Sequence, residues 1–213
     1  MELDAARLAM VRHLEASGVS SPRVLEAMAR VPREEFVLRG DRDEAYADRA
    51  LPIAGGQTIS QPMMVALIVD ALGLSPGERA LDVGTGSGYQ AAVMAASGAT
   101  VVSVERVPEL AADADERLRR LGFDVTVVVG DGSLGVAGHG PFDAIAVGAA
   151  APRLPVALAR QLAEGGRLVV PISAGSDGEQ LTRLTVADGR WATESLGPCR
   201  FVPLIGADAY SEG

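Results

Sequence analysis

Cysteine is nearly absent. Cys199 is the only one in 213 residues, which excludes an internal disulfide and a thiolate zinc cluster. Histidine is almost as scarce: His13 and His139 stand alone, in no Ser/His/Asp constellation, and both read as solvated. Aromatics make up 4% of the chain, so Ala, Val and Leu must fill the interior. No apolar stretch is long enough to cross a bilayer. The segment Met1–Ala16 is charged throughout, unlike a signal peptide, so a cytoplasmic protein with no membrane partner is expected. Positive charge is in deficit as well. Nineteen Lys+Arg against 28 Asp+Glu give a net charge of −9, a field that repels phosphate backbones and counts against a nucleic-acid partner.

What remains is ordinary for a globular chain, with 48% hydrophobic and 22% charged residues. The length suits one α/β domain, and no repeat, low-complexity tract or linker marks a second. Residues 1–213 are therefore expected to form a single domain, with N-terminal helices and a loop over 1–77 and an α/β core over 78–213.

The core is organised around ALDVGTGSGYQAA, residues 80–92. A short apolar run, Ala80 to Val83, ends in Gly84-Thr85-Gly86-Ser87-Gly88 and a stretch able to start a helix follows at once. This is the pattern of a buried strand passing through a glycine turn into a helix. Glu105 closes a second strand-like run beginning at Thr100. A carboxylate at that offset can accept hydrogen bonds from both hydroxyls of a ribose, so turn and acid together read as a nucleoside pocket. The glycine spacing G-x-G-x-G departs from the dinucleotide fingerprint G-x-G-x-x-G and resembles the cofactor loop of S-adenosylmethionine-dependent methyltransferases.

Around this unit the periodicity predicts helices from Leu3 to the stop at Gly18, from the Ser21 cap and Pro22 onward, and over Pro62–Leu72. Residues 31–50 read as irregular. Strands are expected at Arg79–Val83, Thr100–Glu105, Val125–Val129, Phe142–Val147 and Arg167–Ile172. Helices are expected at about Gln90–Ala96, from Pro108 to Gly122, and over Leu154–Leu162, stopped by Gly165-Gly166. After a polar loop over 173–179, Asp188-Gly189 signals a hairpin between Leu181–Val186 and Trp191–Leu196. Ser60, two residues ahead of Pro62, reads from local chemistry as a helix N-cap.

Several stretches then match one family. LDVGTGSGYQAA, GQTISQP, VPREEFV, YADRALPI, GDG followed by PFDAIAVGAAAP, and CRFVPLIG resemble the protein-L-isoaspartate (D-aspartate) O-methyltransferases, over about Val31 to Gly206. The resemblance implies a class I, Rossmann-like α/β three-layer sandwich. Its seven-stranded, mostly parallel sheet would have the order 3-2-1-4-5-7-6, with strand 7 antiparallel. It implies S-adenosyl-L-methionine as cofactor, S-adenosyl-L-homocysteine as product, and isoaspartyl-containing proteins and peptides as partners. The reaction implied is methyl esterification of the isoaspartyl α-carboxylate, which primes closure to a succinimide. A monomer without a metal is expected.

Carried onto this chain, the resemblance makes Ser60 the catalytic residue, its hydroxyl donating a hydrogen bond that holds the substrate carboxylate near the methyl group. Cap and catalytic roles are compatible. Thr58 and Ile59 belong to the same loop. Gly84, Thr85, Gly86, Ser87 and Gly88 would meet the methionine portion, Glu105 the ribose, and Asp131-Gly132 the adenine, with Asp131 accepting from its exocyclic amine; local chemistry alone makes Asp131 an ordinary turn residue. Val202 and Pro203 would flank the peptide beside Ser60. Met63, Val136 and Gly148 depart from residues common in the family. Two rivals are a methyltransferase dedicated to aspartate in one peptide and a non-catalytic adenosyl-binding module. Pro198-Cys199 has the look of a nucleophile dipeptide but lies past the sixth strand, away from the expected site.

Overall fold

The computed structural model describes residues 2–175 and 178–212. The polar loop expected over 173–179 is therefore described except at 176 and 177. Three helices precede the sheet: α1 (Glu2–Ala16), α2 (Pro22–Arg30) and α3 (Pro62–Leu72). α2 starts as read, with the Ser21 hydroxyl accepting the Val24 N–H at 3.4 Å and Pro22 in the first turn. Residues 31–50 hold only two 3₁₀ turns, Arg33–Glu35 and Arg39–Glu44. A two-residue pair, β1 (Leu51–Pro52) with β2 (Thr58–Ile59), then pins both ends of the loop ahead of α3.

The Ser60 cap is not formed. Gln61 occupies the N-cap position without a side-chain bond. Pro62 has no N–H to cap, and the Met63 N–H is taken by Asp48 Oδ1 at 2.9 Å, so this helix start is satisfied from a distant segment.

The seven-stranded sheet contains β3 (Arg79–Val83), β4 (Thr100–Glu105), β5 (Val125–Val129), β6 (Phe142–Val147), β7 (Leu162–Ser173), β8 (Glu179–Ala187) and β9 (Arg190–Cys199). β3 to β7 run parallel. After the exposed Arg79 that opens β3, β3 and β6 are continuously apolar apart from single acids, Asp82 and Asp143, as strands covered on both faces should be. Between them lie the crossovers α4 (Tyr89–Ala96), α5 (Pro108–Arg120) and the single turn α6 (Val156–Ala159). α1 to α5 pack on one face, where Ala80, Val101, Ala144 and Val169 meet Ile68, Val93 and Leu118. On the other face Leu81, Val83, Ile145 and Leu168 meet Leu158 and Leu204.

The sheet is seven-stranded and mostly parallel, as the resemblance implied, but the expected strand order is not found. The order is β5-β4-β3-β6-β7-β8-β9, or 3-2-1-4-5-6-7 in the seven strands' own count. The two-residue turn at Asp188-Gly189 forces β8 and β9 to be neighbours. β8 pairs with β7 over seven residues, from Arg167↔Thr185 to Ser173↔Glu179. The strand that runs against the other six is thus the sixth, β8, and the last strand, antiparallel to β8, forms the outer edge of the sheet. The helix read over Leu154–Leu162 also shrinks, to Val156–Ala159. Gly165-Gly166 is a kink inside β7 rather than a helix stop: a Cβ on Gly166 would lie 2.8 Å from the Ala163 carbonyl, so only glycine lets the strand bend there.

One charged residue of the irregular segment is core. Arg33 is fully buried, its Nε donating to the Ala45 carbonyl at 2.7 Å and its guanidinium lying 4.7 Å from the centre of the Tyr89 ring. Nη1 and Nη2 make no hydrogen bond. Burial lowers its pKa, and stacking on a desolvated ring returns about 2 kcal/mol. Phe36 meets the same ring edge-on at 5.5 Å, which ties the segment after α2 to the first residue of α4.

Candidate active site

β3 has β4 on one side and β6 on the other, so the chain reverses its direction of winding there. In an open α/β sheet, ligands bind outside the carboxyl ends of the strands at this point. A cavity of about 230 Å³ opens at that place, lined by residues that follow β3 (Gly84, Gly86), end β4 (Glu105) and follow β6 (Gly148, Ala149). Gly84 has φ +88°, with no atom within 4 Å of where its Cβ would be. The cavity wall at Gly84 is thus bare backbone, in a conformation that other residues rarely adopt.

Glu105 is 6% exposed. Its two oxygens each accept one backbone N–H, Oε2 from Gly86 at 2.9 Å and Oε1 from Val107 at 3.0 Å. The carboxylate is thereby aimed before any ligand arrives, and each oxygen keeps a free lone pair. Under the loop runs a buried chain of polar groups. Thr85 Oγ1 lies 2.6 Å from Ser103 Oγ, Ser103 donates to Asp82 Oδ2 at 2.7 Å, and Gln90 donates to Asp82 Oδ1 at 2.8 Å. Burial pushes the Asp82 carboxyl up to about 6, against the hydrogen bonds from Ser103 and Gln90 and with help from the charge on Glu105.

Thr58, Gly84, Gly86, Glu105, Gly132, Val202 and Pro203 all line this cavity. Ile59, Ser60, Thr85 and Ser87 line an adjoining depression that shares Thr58, Gly84, Gly86 and Gly148 with it. A third hollow, containing Ser60, Met64, Arg200 and Val202, meets the first along Thr58, Gly148 and Val202. Ser60 thus stands where the latter two join, and among the described residues its hydroxyl has no hydrogen-bond partner.

Two of the expected cofactor residues are placed differently. Gly88 lines neither the cavity nor the adjoining depression; it precedes α4, and a Cβ there would sit 3.2 Å from Leu118 Cδ1. Asp131 does not line the cavity itself but a neighbouring hollow that shares Arg106 and Ile205 with it. Its Oδ1 accepts from the N–H and hydroxyl of Ser133, and its Oδ2 from the Ala207 N–H at 2.7 Å. Burial raises its pKa, but the Ala207 and Ser133 bonds and the Arg106 charge outweigh it and hold the carboxyl below the usual range. The adjacent Gly132 does reach the cavity.

Sequence reasoning missed Gly148 and Val107. Gly148 borders all three hollows, and its N–H is held by the Val83 carbonyl at 2.8 Å. The only signal was its place after the fourth core strand, where it counted as a departure. Val107 acts through its backbone, which no side-chain pattern reports. Cys199 ends β9, and burial, then Glu179, pushes its thiol up to about 11; this is the wrong direction for a nucleophile.

A glycine cradle after the first core strand, a buried acid ending the second, and a hollow beside them for a second reactant define a class I methyltransferase that uses S-adenosylmethionine. The cavity's bare backbone at Gly84 and the preset acceptor pair on Glu105 fit that cofactor's methionine and ribose parts. Residues 5–209 match the family described as protein-L-isoaspartate(D-aspartate) O-methyltransferase. A protein-L-isoaspartate O-methyltransferase 2 from Marinobacter nauticus is 51% identical over 98% of this chain and 97% of the relative. A protein-L-isoaspartate O-methyltransferase from Roseiflexus castenholzii is 49% identical over 99% and 97%. The fold superposes with a TM-score of 0.81 on the crystal structure of a protein of that family from Plasmodium falciparum in complex with S-adenosyl-L-homocysteine. That protein is 29% identical, and the match covers 93% of this chain and 98% of that one. The chain belongs to the protein-L-isoaspartate(D-aspartate) O-methyltransferase family.

Proposed function

We propose that this protein methyl-esterifies the α-carboxylate of L-isoaspartyl residues in damaged proteins and peptides, with Ser60 orienting the acceptor and Glu105 the donor. S-adenosylmethionine, when bound, supplies the methyl group on a positively charged sulfur. The acceptor is a carboxylate with an ordinary pKa of about 3.5 to 4, already ionised at pH 7. No residue needs to remove a proton, in keeping with a site that holds no histidine. The work left to the chain is alignment and exclusion of water.

Ser60 is suited to the first task. Its hydroxyl is free to donate to one carboxylate oxygen, which leaves the other to attack. Val202 lines the same hollow from the C-terminal segment and Pro203 the neighbouring cavity, both held by the Val202 and Leu204 bonds to Ala150, each 2.8 Å. Gly84 and Gly86 supply bare backbone for the methionine part, and Gly132 flanks the adenine. Asp131 acts by clamping the 205–208 segment over that end of the cavity. The observation that carries the reading is the position of one unpartnered hydroxyl where the depression of Thr85 and Ser87 joins the hollow of Val202, both of them adjoining the cavity of Glu105. We read the enzyme as a cytoplasmic monomer, with the net charge of −9 counting against nucleic acid.

The test is incubation with methyl-labelled S-adenosylmethionine and three matched peptides containing isoaspartate, aspartate or neither. Base-labile label on the isoaspartyl peptide alone is expected. Label on the aspartyl peptide would favour a dedicated aspartate methyltransferase, and cofactor binding without label would leave only a binding module.

A further inference from the structure

We propose that Arg200 reads charge next to the isoaspartyl residue, so that the protein prefers substrates with an acidic side chain one or two positions away. The proposal rests on the function given above and names a substrate preference within it. Arg200 lines the hollow that contains Ser60 and Val202. It is exposed, and among the described residues it forms neither an ion pair nor a hydrogen bond. Glu179, paired across the strands with Cys199, accepts the Phe201 N–H at 2.7 Å and, among the described residues, no bond from Arg200. A guanidinium with all its donors unused therefore stands at the mouth of the acceptor hollow.

Two physical arguments give it a task. The chain carries a net charge of −9, which repels any anionic peptide, so an unpaired local cation decides where such a peptide can approach. The cation does not suit the methyl-accepting carboxylate itself: a guanidinium fork would bind both oxygens of the ground state and hold back the nucleophile. That carboxylate has Ser60. Arg200 lies two residues before Val202, and two residues of chain span at most about 7 Å. A group it pairs with on a peptide lying along this wall is thus one or two residues from the isoaspartate.

The test uses isoaspartyl peptides that differ only in Glu, Gln or Lys placed immediately before or after the isoaspartate, with labelled methyl transfer as readout. For the wild type, a Glu neighbour should lower KM relative to Gln by about two- to fivefold, the scale of an exposed ion pair, and Lys should raise it. The preference should vanish at about 1 M salt, where the screening length is about 3 Å. It should disappear in Arg200→Gln, invert in Arg200→Glu and return in Arg200→Lys, with S-adenosylhomocysteine binding showing that each variant is folded. Equal KM values for the three wild-type peptide series, or a preference that survives Arg200→Gln, would overturn the proposal. Failure to methylate any isoaspartyl peptide would instead overturn the function itself, and this preference with it.

Discussion

Replacing Glu105 by Gln keeps the side chain's shape and removes one acceptor and the charge. Both oxygens are already in use, one by the Gly86 N–H and one by the Val107 N–H. The amide nitrogen of Gln must therefore face one of these donors, and a buried donor left unsatisfied costs about 1 to 3 kcal/mol. At roughly 2 to 4 °C per kcal/mol for a chain of this size, melting should fall by about 2 to 12 °C. Binding loses a separate quantity. A hydrogen bond from a ribose hydroxyl to a carboxylate is worth about 1.5 to 3 kcal/mol, so the affinity for S-adenosylhomocysteine should weaken by about 10- to 150-fold. Thermal scanning without ligand reads the first loss, and titration calorimetry with S-adenosylhomocysteine reads the second. A variant that melts lower but binds within about threefold of wild type would show that Glu105 only braces the loop, and the ribose assignment would fall.

Three further outcomes follow from the same geometry. Because Ser60 neither caps α3 nor bonds internally, Ser60→Ala should leave the melting temperature unchanged while kcat on an isoaspartyl peptide falls by about 10²- to 10³-fold; a large drop in melting temperature would restore the capping role. Gly84→Ala places a side chain at φ +88°, costing about 1 to 2 kcal/mol of stability, and its methyl intrudes on the cavity, so cofactor affinity should fall by about tenfold or more; wild-type affinity would show that this backbone does not touch the ligand. Asp82 has a folded-state pKa of about 6 against 3.8 unfolded, so the folded protein binds this proton more tightly and stability from this group rises as pH falls through 6. Between pH 7.5 and 5 the wild type should gain about 1.4 kcal/mol relative to Asp82→Asn, measured by urea unfolding, and a pH-independent difference would contradict the assignment.

The parts legible in the sequence were those set by short-range pattern. Val125–Val129 and Phe142–Val147 begin and end where read, because each is an apolar run bounded by a turn or by Gly-Pro. Gly84 and Glu105 were legible because a strand-turn-helix unit and the next strand fix their separation. What escaped depends on partners far along the chain. The position of the last two strands rests on β7 accepting β8 across its edge, which a hairpin signal does not specify. The N–H satisfied at the start of α3 is taken by Asp48 and not by Ser60; Asp48 stands fifteen residues before Met63, farther than any local capping rule would look. Asp131 is both a turn residue and the anchor for Ala207, 76 residues on. Arg33, in a charged stretch read as irregular, is core because the Tyr89 ring lies under its charge.

The most direct test of the account is a crystal structure of the protein with S-adenosylhomocysteine and an isoaspartyl peptide. Both ribose hydroxyls are expected on Glu105, the sulfur turned toward the hollow of Ser60, and the peptide's α-carboxylate accepting a hydrogen bond from the Ser60 hydroxyl. An adenosyl group bound away from Glu105, or a peptide carboxylate out of reach of Ser60, would contradict it.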